Sequence, residues 1–260
     1  MWFDTHCHLD FPEFTVDTQK NRELFAKYDI SRFFIPSIGP QNWQAVLQLA
    51  SENSHSHSVG LGIHPCFLQP FIDNHSVELE LNNLSSLAFQ HREIISAIGE
   101  CGLDKRINVP LNSQLSVFHF QIELAQQLQL PLVIHSVQQH HHIHDSLKNR
   151  TRDNLGVVHA FSGNYQQAKA FIDLGLKIGV GGVITWPTAQ KTRDAIAKIP
   201  VDSIVLETDA PDMRIAGLQH QPNSPHLLPL IFNHLILLRP ESASILAEQI
   251  WENSACLFRI

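Results

Sequence analysis

Six residues of metal-ligating type recur in one setting along the chain. They are His6 and His8 in FDTHCHLD, Glu100 in AIGECGLD, His135 in PLVIHS, His159 in GVVHAFSG and Asp209 in VLETDAP. Each ends or directly follows a short apolar run, the place where a βα loop begins at the mouth of a parallel barrel. Neutral imidazoles and carboxylates together suit zinc, manganese or iron, with magnesium a further candidate. Four histidines and two carboxylates exceed what one tetrahedral ion uses, so two divalent ions are expected. Residues i and i+2 of a strand face the same side, so His6 and His8 can hold one ion together while Cys7 turns away. A lone H-x-H would say little, because buried histidines bonded to a backbone carbonyl are common. The four further residues, all at strand ends, carry the reading of a metallohydrolase centre.

The elements that must position these residues alternate. Apolar runs rich in β-formers span Trp2 to His6, Arg32 to Ile38, Ser58 to Ile63, Ile94 to Gly99, Leu132 to His135, Gly156 to His159, Lys177 to Val180 and Ser203 to Glu207. Amphipathic stretches such as NSQLSVFHFQIELAQQLQL and YQQAKAFIDLGL lie between them. Eight alternations in 260 residues predict a (β/α)8 TIM-type barrel, for which about 250 residues is usual. A doubly wound open sheet is the alternative. It fits less well, because only a closed ring lets the first, fourth, fifth, sixth and eighth strand ends converge on one point.

No linker divides the chain, so a single domain over 1–260 is expected. The N-terminus MWFDTHCHLD has no basic region of signal-peptide type, and LLPLIFNHLILL is broken by Asn233 and His234 before it reaches the length of a membrane span. The expectation is a cytoplasmic protein with no membrane partner. Cys7, Cys66, Cys101 and Cys256 form no C-x-x-C pair, and Cys7 and Cys101 read as small buried hydrophobes. His55 and His57 in SENSHSHS, and His140, His141, His142 and His144 at the start of a helix, read as solvated surface.

The motifs FDTHCHLD, GIHP, IGECGLD, LPLVIHS, VVHAFSG, ETDAPDM and the terminal EQIWENSACLF together resemble the TatD family of metal-dependent hydrolases and deoxyribonucleases. The similarity runs the full length, and KIGVGGVIT, KTRDAIAKIP and IVLETDAPDM are similar in particular to its YjjV-type branch. The resemblance implies an amidohydrolase-like (β/α)8 barrel in which His6, His8, Glu100 and Asp209 serve one ion and Glu100, His135 and His159 the other. Glu100 would bridge them, offsetting part of the charge of two neighbouring cations. One position departs from the family pattern. Where relatives usually carry an arginine two residues after the fifth-strand histidine, a side chain suited to phosphate, this chain has Val137.

Hydrolysis by an activated water follows from such a centre, with Asp209 orienting the water and accepting its proton, and Glu100 the second catalytic carboxylate. His64 in GIHP and Ser162 in HAFSG are candidates to touch the scissile phosphate; strand-end packing and a helix cap are their plainer roles. Lys+Arg 18 against Asp+Glu 25 gives a formal net charge of −7, which argues against a clamp on long duplex DNA. Nucleic-acid contacts must then be local, from Lys105, Arg106, Lys191, Arg193 or Arg214, with Trp186 or Phe67 as stacking platforms. The expected function is a deoxyribonuclease-type phosphodiesterase acting on single-stranded DNA or exposed ends, with no obligate protein partner. Hydrolysis of a carboxylic ester, amide or lactone on the same barrel is the alternative. A metal-binding protein without catalysis is a third, disfavoured because all six ligand positions are filled.

Overall fold

Val, Ile, Leu and Phe fill the short apolar runs, and most of their residues are buried, as a parallel sheet covered on both faces requires. The computed structural model describes residues 1–150 and 154–260. Its strands are β1 (Trp2–Asp4), β2 (Ile30–Pro36), β3 (His57–Leu61), β4 (Ile95–Asp104), β5 (Leu132–Val137), β6 (Gly156–Val158), β7 (Leu176–Val180) and β8 (Ile204–Leu206). Each pairs in parallel with the next, in sequence order from β1 to β8. The ring closes between the segments that follow β1 and β8. Thr5 N donates to Leu206 O at 3.0 Å, Asp209 N to His6 O at 2.8 Å and His8 N to Ala210 O at 2.8 Å. A parallel bridge joins Cys7 to Ala210. The predicted (β/α)8 barrel is therefore the fold, and the open-sheet alternative is set aside.

Several strand boundaries differ from expectation, and two of the differences have a plain physical reason. β4 does not stop at Gly99 but runs on to Asp104, because after a register shift between Ile98 and Cys101 it pairs with β5 from Cys101–Ile134 to Asp104–Val137. β1 is shorter than predicted, since beyond Asp4 the chain divides its hydrogen bonds between β2 and the segment after β8.

The alternation of side chains divides the barrel interior into a dry lower end and a polar upper end. Phe3, Phe34, Ala97, Val133, Val157 and Val205 form one buried cluster with Leu257 and Phe258 from the last helix, Ala243–Phe258. Phe258 plugs the lower opening, its ring stacked on Phe34 with centroids 4.1 Å apart and planes at 10°. Two residues further along the strands, on the same face as Val133, Val157 and Val205, come His135, His159 and Glu207. The helix Leu111–Leu128 pins the upper ends of two strands with buried amides. Gln121 bonds both Ile63 N (2.8 Å) and Ile63 O (3.1 Å). Gln114 accepts from Asp104 N (2.8 Å) and donates to Asp104 O (3.0 Å).

Cys7 and Cys101 are fully buried, as expected of small hydrophobes. Two histidine expectations are corrected. His57 is not in a loop but opens β3, half-buried with Nδ1 2.8 Å from Ser56 Oγ. His140 is not solvated surface: it is buried between Ser136 Oγ (2.6 Å from Nδ1) and the Ser162 carbonyl (3.1 Å from Nε2), stacked on Phe161. Among the described residues no helix is long and apolar enough to cross a membrane.

Truncating Phe258 to Ala should empty the lower end of the barrel. A loss of about 3 to 5 kcal/mol is expected, read as a lower denaturant midpoint with an unchanged slope in equilibrium unfolding.

Candidate metal centre

His6 and His8 owe their placement to backbone bonds on both sides. Cys7 N donates to Phe34 O at 3.1 Å, while His6 O and His8 N bond the segment after β8. Cys7 is thereby turned into the core and both imidazoles face the barrel axis. Asp4 anchors the neighbouring segment after β8: its carboxylate accepts Thr208 N (2.9 Å), Thr208 Oγ1 (2.6 Å) and His6 N (3.3 Å). The next residue, Asp209, sits at φ 60°, the left-handed region that few side chains other than Asn and Asp enter readily. This turn aims its carboxylate at the two histidines.

The structure brings all six candidate residues together around Glu100. Glu100 Oε2 lies 3.3 Å from His6 Nε2 and 3.8 Å from His8 Nε2. Its other oxygen, Oε1, lies 2.7 Å from His159 Nε2, 3.2 Å from His135 Nδ1 and 3.1 Å from His64 Nε2. Asp209 Oδ1 faces the first group, 3.4 Å from His6 Nε2 and 3.7 Å from His8 Nε2. His6, His8 and Glu100 form one set able to hold an ion, and Glu100, His135 and His159 another.

The donors suit divalent metal. His6 Nδ1 and Nε2, His8 Nδ1 and His159 Nδ1 are buried without a hydrogen-bond partner. Unpaired buried polar atoms are costly, and a cation among neutral imidazoles removes part of that cost. Burial holds His6 well below its ordinary range, and the His159 ring stacked on it at 3.9 Å adds to the effect. Burial likewise lowers His8 to about 4. Both therefore present lone pairs at neutral pH, as ligands must. Burial, then the like charge of Glu100, pushes Asp209 well above the usual carboxylate range. Two carboxylates this close need positive charge between them.

One residue beyond the six, Asp104, fixes a ring orientation. His135 Nε2 lies 3.0 Å from Asp104 Oδ2, so the ring donates its Nε2 proton to that buried carboxylate, which fixes the ring with Nδ1 facing Glu100. Burial works against protonation of His135, but Asp104 and Glu100 outweigh it and raise the group to about 9. Asp104 is held below the usual carboxylate range despite its own desolvation, by His135 and Arg106. Sequence reasoning passed over Asp104, although a residue four places after Glu100 on the same strand shares its face. It passed over Glu207 as well, which burial raises to about 8 and which accepts Ala160 N. A Cβ on Gly179 would lie 2.5 Å from the Glu207 carboxylate, so this wall of the barrel has no room for a side chain.

His64 accepts Cys66 N at its Nδ1 (3.1 Å). A backbone N–H can only donate, so in the neutral ring the proton sits on Nε2, which donates to Glu100 Oε1. Ser162 is exposed on the cavity wall; the helix that follows is capped by Asn164 with Gln167, so the cap is not Ser162. A cavity of about 650 Å³ opens over the centre, and Val137, Arg106 and Phe67 line it together with His64 and Ser162. Of the expected cationic contacts, Arg193 does not line this cavity, and its Nη1 donates to Ile184 O. Trp186 borders an adjoining hollow, its Nε1 donating to Arg214 O at 3.0 Å.

The TatD related DNase family matches residues 3–259. The Escherichia coli (strain K12) protein named uncharacterized metal-dependent hydrolase YjjV is 39% identical over 260 residues, covering 100% of this chain and 98% of that protein. The 3'-5' ssDNA/RNA exonuclease TatD of Rahnella sp. (strain Y9602) is 30% identical over 265 residues, covering 99% of this chain and 98% of the relative. The crystal structure of Escherichia coli YjjV superposes with a TM-score of 0.93 at 38% identity, covering 100% of this chain and 98% of that one. Match along the whole length, in sequence and in fold, leads to one conclusion: the chain belongs to the TatD related DNase family of metal-dependent hydrolases.

Proposed function

We propose that this protein hydrolyses phosphodiester bonds near exposed ends of single-stranded nucleic acid, DNA in the first place, with two divalent ions. His6, His8, Glu100 and Asp209 would hold one ion, and Glu100, His135 and His159 the other. The observation that carries the reading is the division of Glu100, one oxygen toward each set of imidazoles. The relative named a ssDNA/RNA exonuclease supports the substrate class.

When bound, such ions lower the pKa of water and offset charge on the oxygens of an in-line displacement. The protein's own groups do the rest. Asp209 has Oδ1 directed at His6 and His8, which leaves Oδ2 to orient the attacking water and accept its proton. His64 carries an Nε2 proton that goes to Glu100 Oε1 here and would be freed for a non-bridging phosphate oxygen once an ion takes that carboxylate oxygen. Ser162 adds a hydroxyl on the cavity wall. The net charge of −7 favours a single strand over duplex.

Assays of metal-reconstituted protein on a single-stranded oligonucleotide, a nitrophenyl phosphodiester and a nitrophenyl carboxylic ester test the reading. Cleavage of the first two is expected, and hydrolysis of the ester alone would contradict it. Glu100→Ala should lower metal content together with rate, whereas His64→Ala should lower rate with metal retained; equal metal content in Glu100→Ala and parent would remove the bridging role. Asp104→Ala, which strips His135 of its orienting acceptor, should weaken metal binding by about ten- to a hundred-fold in a competitive chelator titration.

A further inference from the structure

Among the described residues, a single lysine or arginine lines the cavity over the centre: Arg106. Its guanidinium is gripped along one edge. Nε donates to Asp104 Oδ1 at 3.1 Å and Nη2 to Asp104 Oδ2 at 2.7 Å, and Arg106 N bonds the same carboxylate at 2.8 Å. Asp104 is fully buried, whereas the Arg106 side chain is 62% exposed. The side chain is thus fixed in place before any ligand arrives, and none of these contacts uses Nη1. An anchored, planar donor set is what recognises a phosphate oxygen at small entropic cost.

Its position follows from the register. Asp104 and Val137 are partners across β4 and β5, and Lys105 N donates to Val137 O at 3.1 Å, so Arg106 leaves the barrel beside the apolar side chain of Val137. Of the other arginines expected near the mouth, Arg193 donates to Ile184 O and Arg214 to Gln219 O at 2.7 Å, and neither lines the cavity.

Resting on the nucleic-acid reading above, we propose that Arg106 binds a phosphate of the substrate, and that this is the phosphate next to the scissile one. Between Glu100 and Arg106 stand the His135 ring and the Asp104 carboxylate, joined in series by contacts of 3.2, 3.0 and 2.7 Å. A phosphate seated at Glu100 and Asp209 leaves the guanidinium to its neighbour along the strand. The enzyme then prefers a strand with at least two phosphates over a single phosphodiester.

The test compares kcat/KM for a thymidine trinucleotide, which has two phosphodiesters, with that for thymidine nitrophenyl phosphate, which has one. In Arg106→Ala the ratio of the two should fall by about ten- to a hundred-fold, the range of a charge-assisted hydrogen bond. Arg106→Lys, with charge but no fork, should restore part of it. Affinity for a phosphorothioate trinucleotide should fall alongside, and its logarithmic salt slope should shrink by about 0.7, the value for one phosphate contact on a single strand. A parent enzyme that cleaves both substrates and an Arg106→Ala ratio equal to the parent's would overturn this assignment alone. A parent that cleaves neither would overturn the nucleic-acid reading, and the assignment with it.

Discussion

A single carboxylate at the barrel axis sets the terms for everything around it. Glu100 is 2% exposed and has five imidazoles within 4 Å of its two oxygens. A buried carboxylate is tolerated only where positive charge or several donors meet it. Here the imidazoles come from the segment after β1, the loop after β3, and the ends of β5 and β6, so the ring must close for the charge to be balanced at all. The hydrophobic plug around Phe258 at the other end lets the upper layers be polar without opening the core.

Orientation is handled by a second set of groups that touch the histidines rather than the centre. Asp104 fixes the His135 tautomer, Cys66 N fixes that of His64, and Asp4 locks Thr208 and so the left-handed turn at Asp209. Each is itself pinned, Asp104 by Gln114 from the helix layer. Preorganisation of this kind sets ring orientation in advance, so that a metal ion meets its ligands without rearrangement.

Much of this was legible in the sequence because barrel strands announce themselves as apolar runs and because the six residues sit where those runs end. The eight strands and the convergence of His6, His8, Glu100, His135, His159 and Asp209 followed from that pattern. What stayed hidden depended on contacts between distant segments. The extension of β4 to Asp104 needs the shifted register with β5. The burial of His140 needs Ser136 and the Ser162 carbonyl on either side, which the stretch HHHIH does not reveal. Glu207 in ETDAP looked like a strand-end acid, and its full burial against the bare backbone of Gly179 shows that it points inward.

The central claim is that Glu100 joins two ions through separate oxygens. Anomalous diffraction from metal-loaded crystals, recorded at the absorption edge of the bound metal, tests it most directly. Two peaks are expected, one within bonding distance of Oε2 with His6 and His8, the other within bonding distance of Oε1 with His135 and His159. A single peak at saturation, or two peaks neither of which touches Glu100, would contradict it.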